Sequence, residues 1–355
     1  MPWHKAMKKF LYIIFGIIVL VAPFLFFEKE EVKEIGQLAT QIPAYKDPEY
    51  VKLIFGGDMM LDRGVKASVT KNLGGDYNRL FENLGLFKNF DIVFANLEGP
   101  VSDKGRDKRN LYSFRMDPAI LPALKNAGIT AVSVANNHVG DWGRSAYIDS
   151  LEKLKITGIL FTGGGMDGKE AETPTIIEKN GIKIGFLGFS DVGPNDMEAG
   201  EDTAGLPAEA GAKAGLLLAH NPRFDEIVKN ASDIVDYLVV SFHWGDEYKP
   251  IHDKRQEFLA HKAVDNGAKI IIGHHPHVVQ DFEIYKESFV AYSLGNLIFD
   301  QSWSEPTMKG MLLEIKLSKD GNMTVRKDPF KLNNFFQPDE IILGAEEKIE
   351  FKKAN

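Results

Sequence analysis

The chain is written as short β-branched runs that each stop at a polar or glycine-rich cluster, and that repeated junction limits the architectures open to it. Val51–Gly56, Asp91–Ala95, Ile129–Ala135, Tyr237–Phe242 and Lys269–Ile272 read as central strands. Pro118–Ala127, Ser145–Lys155, Phe224–Lys229 and Lys254–Asn266 space their apolar residues at helical intervals, with polar opposite faces that suit a sheet-covering helix. Strands alternating with such helices predict an α/β layer architecture. A different texture appears at Thr175–Phe189, where Glu178–Gly181 lies between two apolar runs and predicts a tight hairpin. Val278–Arg326 is strand-rich with a turn at Lys319–Asn322. Hairpins beside parallel βα units predict two packed sheets flanked by helices. Gly163, Gly164, Gly165, Gly168 and the stretch Gly193–Gly215 read as long surface connections.

The N-terminus belongs to another regime. Phe10–Phe27 is an uninterrupted apolar run, preceded by Lys5, Lys8 and Lys9 and followed by Glu28–Glu31. As a helix it reaches across ~30 Å of hydrocarbon, and the lysines predict a cytoplasmic stub at residues 1–9. The run ends in Phe24–Phe27 rather than in small residues, which favours an uncleaved signal anchor over a cleaved signal peptide. The expected plan is a single-pass transmembrane helix at 10–27, an extracytoplasmic linker at 28–50, and a domain at 51–335. The charged end, 336–355, is expected to be a surface-packed helix or a loose tail. No cysteine occurs, so disulfides, thiolate nucleophiles and zinc-thiolate sites are excluded. The formal net charge of −8 argues against nucleic acid as a partner.

The clusters at the ends of the apolar runs carry the chemistry. Gly56–Asp58, Ala135–His138, Phe242–Gly245 and Gly273–His277 would all fall beyond the carboxyl ends of strands, where loops converge in α/β sheets. Singly, most have ordinary readings: Asp58 caps a turn, Asn136, Asn137 and His138 satisfy loop backbone, and His243 is a hydrogen-bonded core residue. The turn at Gly273–His277 is harder to dismiss, because its three imidazoles are costly to desolvate unless they bind something. Imidazole is the commonest metal ligand and a ready acid or base near neutrality. The clusters together therefore predict one metal-dependent hydrolase site with nitrogen and oxygen ligands, suited to manganese, iron or zinc.

Gly56–Arg63, Ala95–Pro100, Ala135–Gly143, Phe242–Tyr248, Gly273–Gln280 and Tyr292–Asp300, in that order, resemble the motif series of the CapA family. These are poly-γ-glutamate capsule synthesis proteins, PgsA-like and related to the calcineurin-like metallophosphoesterases. The resemblance runs from about Val51 to Ser318. It implies a four-layer α/β/β/α sandwich of metallophosphatase type, with one or two divalent cations at the loop end of the sheets. Carried over residue by residue, it implies metal ligands at Asp58, Glu98, Asn137, His243, His275 and His277, and a proton-donating His138. It also places Arg63, Asn96, Glu247 and Asn296 toward substrate. The implied chemistry is in-line attack on phosphorus by a metal-activated water.

Two positions depart from the wider phosphoesterase pattern. Met60 stands where an Asp-x-His motif has its histidine, and a thioether is a poor ligand for hard cations. Asn96 stands where a bridging aspartate is expected, leaving Glu98 as the alternative bridge. His274 and His275 compete for one ligand position, and strand-like alternation favours His275 with His277. Arg63 either grips an anionic group or forms a surface pair with Asp62 or Glu98. Trp142, Trp244 and Tyr248 either floor the pocket or pack structurally. Two functions follow. One is an anchored capsule or poly-γ-glutamate biosynthesis or export protein with a phosphoesterase-like site. The other is a non-catalytic subunit that binds the polymer within a membrane synthase or export complex.

Overall fold

The computed structural model describes residues 50–200 and 213–349. The expected transmembrane helix at 10–27 and nearly all of the linker lie outside the described residues. Among the described residues no helix is long and apolar enough to cross a membrane.

Two sheets dominate. The first contains β1 (Tyr50–Met59), β2 (Ile92–Leu97), β3 (Ala131–Ser133), β4 (Leu160–Thr162), β13 (Asn296–Ile298), β14 (Lys309–Ser318), β15 (Met323–Leu332), β16 (Pro338–Asp339) and β17 (Glu346–Ile349). Its main order is β16-β15-β14-β1-β2-β3-β4, with β1 to β4 parallel, β13 beside the end of β1 and β17 beside β15. The second contains β6 (Thr175–Lys179), β7 (Ile182–Ser190), β9 (Tyr237–His243), β10 (Ile270–His274), β11 (Phe282–Tyr285) and β12 (Ser288–Ala291). Its order is β11-β12-β10-β9-β7-β6, parallel in the middle with antiparallel edges.

The alternation of side chains along each strand sorts the core into layers. Leu53, Phe55 and Phe94 of the first sheet pack against Ile184, Phe186, Val239 and Ile270 of the second. Phe94 and Phe186 stack with centroids 5.3 Å apart. The intervening residues Ile54, Val93 and Val132 face outward, onto Leu124 of α2 (Ile120–Ala127) and Leu151 of α3 (Arg144–Thr157). On the far side Leu187, Val240 and Ile271 meet Phe224 and Val228 of α5 (Phe224–Ser232) and Leu259 of α6 (Lys254–Asp265). Helix, sheet, sheet and helix thus form four layers. Burial of both sheet faces explains why the strand sequences are almost continuously apolar.

Local signals account for the joints. Asn180 and Gly181 both take positive φ (53° and 71°), the left-handed pair a two-residue hairpin turn needs, and they join β6 to β7. The start of α6 is a capping box in which Asp253 accepts from Arg255 and Gln256 while Gln256 Oε1 accepts from the Asp253 N–H.

Three features differ from expectation. Helix α1 (Arg63–Asn72) and the 3₁₀ stretch Tyr77–Asn89 lie between β1 and β2, where the sequence reading places no element. Gly163, Gly164 and Gly165 are buried rather than surface loop, because β5 (Gly164–Gly165) pairs with β8 (Gly215–Leu216), while α4 (Gly168–Glu172) follows directly. The described part of 336–355 is neither helix nor loose, since β16 and β17 extend the sheet from β15.

Phe186→Ala should lower unfolding free energy by about 3–5 kcal/mol, the cost of emptying a fully buried aromatic site. Chemical denaturation measures this directly, and a loss under about 1 kcal/mol would mean the sheets are not held by the packing described.

Candidate metal centre

The site begins with a glycine. The register of β1 against β2 shifts between Phe55 and Asp58, and β13 comes alongside at that point. A Cβ on Gly57 would lie 1.8 Å from the Gly295 carbonyl oxygen, so a residue without a side chain is required there. The approach lets the Asp58 N–H donate to Gly295 O at 3.0 Å and fixes the direction of the Asp58 carboxylate. In register, Asp58 then sits between Asn96 on β2 and Asn296 on β13. The second sheet ends in a matching row, Ser190–His243–His274 across β7, β9 and β10. Side chains from the two rows meet between the sheets.

Asp58 is fully buried. It accepts from Asn96 Nδ2 (2.8 Å) and from the His275 N–H (3.1 Å). His274 Nδ1 and His277 Nδ1 each lie 3.4 Å from its oxygens. The Asn96 amide also approaches Glu98 Oε2 (3.4 Å) and His243 Nδ1 (3.3 Å), while its oxygen accepts from Asn136. Asn296 is equally buried, with its oxygen on His277 Nδ1 (3.0 Å) and its amide donating to Gln301 Oε1 and Thr307 O. Asn96 and Asn296 therefore brace the cluster from beneath instead of facing substrate. Asn137 Oδ1 lies 2.8 Å from His243 Nε2, which ties those two residues to each other.

The histidine turn differs from the strand-like alternation expected of it. Strand β10 stops at His274, and His275 and His277 both take positive φ (96° and 58°). A turn therefore brings the rings of His275 and His277 to 5.9 Å. Two donor groups result, Asp58–Glu98–His277 and Glu247–His275–His277, each with one atom per residue within 4.8 Å of the others. Glu247, read from sequence as substrate-facing, joins the histidines. Glu98 and not Asn96 supplies the second buried carboxylate. Glu98 Oε1, His275 Nδ1 and both nitrogens of His274 are buried with no hydrogen-bond partner among the described residues. Orphaned nitrogen and oxygen donors on three buried residues, with no sulfur among them, fit a divalent cation.

The charges support that fit. Burial raises a carboxyl, but the His274 and His277 rings outweigh it and hold Asp58 well below the carboxylate range. Glu98 is pushed well up by burial, with Asp58 and Glu247 opposing the pull of His277. Burial would lower His277, yet Glu98, Asp58 and Asn296 draw it up to about 9. His275 goes the other way, to about 3, through burial and the neighbouring His277. The same carboxylates that raise His277 would favour a bound cation, so proton and cation compete for this cluster.

His138 stands at the edge of this cluster. Its Nδ1 lies 2.7 Å from Asp141 Oδ2, which leaves Nε2 aimed toward Glu98 Oε1 at 3.8 Å. Asp141 also accepts from Asn110 Nδ2 and the Phe114 N–H. A cavity of about 240 Å³ opens above, its wall including Arg63, Tyr112, Phe114, His138, Glu247 and Trp303. Arg63 pairs with neither Asp62 nor Glu98. It makes a two-point contact with Asp300 (3.1 and 2.7 Å) and lies over the Phe114 ring. Met60 packs with Phe114 and Phe299, so the thioether fills the wall where a ligand was expected. Trp244 is buried against Phe242 and is structural, while Tyr248 is half-exposed beside Trp303. Asp141 and Asp300, which fall inside the motif series without an assigned role, hold His138 and Arg63 respectively. The three-residue offset of Asp141 from His138 was the available signal.

Comparison with known proteins agrees with the motif series. The sequence profile for "Bacterial capsule synthesis protein PGA_cap" matches residues 52–301. The capsule biosynthesis protein CapA of Bacillus anthracis is 32% identical over 294 residues, 81% of this chain and 69% of that protein. The PGA biosynthesis protein CapA of Bacillus subtilis (strain 168) is 30% identical over 334 residues, 93% of this chain and 82% of that protein. Among solved structures, a novel phosphatase from Mycoplasma pneumoniae aligns with 85% of this chain and 94% of its own at 15% identity, with a TM-score of 0.43.

Metal binding should be coupled to protons. With its folded value near 9, above an ordinary 6.5, the charged His277 stabilises the metal-free fold fully below about pH 6.5. That contribution is lost as pH rises through 9. A cation must displace protons from His277 and from the raised Glu98, so affinity should climb between pH 6 and 9 with net proton release on binding. Calorimetric titration in buffers of different ionisation enthalpy measures the release; a pH-independent affinity contradicts the assignment. In the His275→Ala, His277→Ala double variant, stoichiometric metal should disappear from elemental analysis while the circular dichroism of the fold persists.

Proposed function

Because the chain belongs to the bacterial capsule synthesis protein family, we propose that it serves production or export of an acidic surface polymer of the poly-γ-glutamate kind through a metal-dependent, phosphoesterase-like hydrolytic site. The observation that carries this reading is the His138–Asp141 pair placed beside a buried cluster of unsatisfied nitrogen and oxygen donors. Asp58, Glu98 and His277 would hold one divalent cation, with Glu247 and His275 completing a second position next to it. Manganese, iron or zinc suits such a donor set, and the charge it supplies polarises a phosphoryl or carbonyl oxygen.

The protein's own groups do the rest. Asp141 accepts a hydrogen bond from the Nδ1–H of His138 and orients the ring, so that the imidazolium form, carrying its second hydrogen on Nε2, would deliver that proton to the leaving oxygen and be left neutral. Asn96 and Asn296 hold Asp58 and His277 in place. Phe114, Tyr112 and Trp303 wall the cavity and limit water around the leaving group. The apolar run at 10–27 would anchor the chain as a single-pass membrane protein with this domain outside, beside the synthase or export subunits that deliver the polymer.

A second reading, a polymer-binding accessory subunit without turnover, is favoured by one feature, the packing of Met60 where a histidine ligand is expected. Kinetics separates the two. His138→Ala should keep its metal and lose turnover of a generic aryl phosphoester by about a hundredfold or more. Unchanged turnover, or loss of metal with the histidine, would refute the assigned role. A metal-loaded wild type that cleaves neither phosphoester nor amide would leave the accessory reading in its place.

A further inference from the structure

Between Asp103 and Arg115 the chain carries five basic residues against two acidic ones, in a protein whose net charge is −8. This loop leaves β2 just past Glu98 and arrives at the cavity wall with Tyr112 and Phe114. It is exposed yet firmly stitched down. The Arg106 N–H donates to Trp142 O (3.0 Å) and the Lys108 N–H to Asp141 O (2.8 Å). Gly105, at φ +86°, lies so close that a Cβ would meet Trp142 O at 2.2 Å. Arg115 stacks over Trp142 at 3.6 Å. The loop is thus clamped to the Asp141–Trp142 backbone, and its Asn110 side chain and Phe114 N–H bind the carboxylate that holds His138.

Its charges divide into two sets. Lys104 is paired with Asp149 and Lys108 with Asp196. Arg106 has no ion pair or side-chain hydrogen bond among the described residues, and Arg109 acts only at longer range on Asp107. Within the cavity Arg63 is already neutralised by Asp300. Neither Arg106 nor Arg109 lines the cavity, so this charge lies outside the pocket, on the same loop that supplies Tyr112 and Phe114 to its wall. A ligand confined to the residues lining the cavity meets neither arginine, whereas a longer chain with repeated negative charges can extend beyond them.

We infer that the 103–115 loop is a binding arm for a linear polycarboxylate. Arg106 and Arg109 hold carboxylates of successive units while one unit enters the cavity past Tyr112. The inference rests on the reading of the site as one that handles an acidic capsule polymer, and it adds where the polymer is gripped. Exposed aromatic surface on Tyr112 and Trp303 lines the same entrance and offers contact to the methylenes between carboxylates.

The test uses the full chain in mild detergent, wild type beside Arg106→Gln, Arg109→Gln and Arg106→Lys, Arg109→Lys double variants. The probes are fluorescently labelled poly-γ-glutamate, free glutamate, inorganic polyphosphate and single-stranded DNA. Anisotropy should show the long polyglutamate binding about tenfold more weakly to the Gln variant, as loss of two exposed charge contacts predicts. The Lys variant should recover most of the affinity, and raised salt should erase the difference. Free glutamate should bind all forms alike. Metal content and turnover of a small phosphoester should match wild type, which keeps the arm separate from the hydrolytic reading. Equal polyglutamate binding by the Gln variant would overturn the proposal. So would polyphosphate or DNA binding at least as tight as polyglutamate, or a parallel loss of metal in the Gln variant. Binding that behaves as expected in a protein without turnover would sustain the arm and remove the hydrolase.

Discussion

A single buried carboxylate organises the molecule's functional end. Asp58 is shut off from water and surrounded by an amide, a backbone N–H and imidazoles that all approach it. A lone charge at that depth costs several kcal/mol, so it is tolerated only because these groups converge on it. Each of them has its own reason for being there. Asn96 and Asn296 arrive by strand register, and the histidines by the end of β10 and the turn after it. The two sheets are brought into alignment by their apolar core, and the alignment is what gives Asp58 its partners.

Asn96 is a neutral amide set among acidic and imidazole groups. A carboxylate at Asn96 would crowd a third acidic group against Asp58 and Glu98 in a fully buried cluster. An amide instead donates to both and turns toward His243, lowering repulsion while holding three side chains in register. The second buried carboxylate comes from Glu98, two residues further on, which groups with Asp58 and His277.

Much of this was legible in the residues. The central strands announce themselves because both faces are buried, which leaves little room for polar residues, and the Asn180–Gly181 hairpin follows from backbone conformation alone. The clusters at strand ends pointed to one shared site that includes Asp58 and the histidine turn, and Glu98 entered that expectation only through the family resemblance. Other features hide for definite reasons. Helix α1 buries only Val65, Ser68 and Val69, too narrow a stripe to read as a helix. Gly164 and Gly165 look like loop because glycine is the loop-former, though here they pass through a buried gap. Strand β17 is charged, as edges often are to discourage further pairing, and charge at a chain end resembles a tail. The positive φ of His275 and His277 carries no sequence signature at all, and so the facing of those rings could not be deduced from alternation.

The donor groups have one more property. Asp58 lies near the end of one strand and Glu98 just past another of the same sheet, whereas His275 and His277 follow a strand of the other. Any ion that takes ligands from both is a rivet through the seam of the sandwich. Its affinity then reports the spacing between sheets, so a change deep in the apolar seam, far from any donor atom, registers at the site as a mismatch of distances. Tightness of binding and tightness of packing become two measures of one separation.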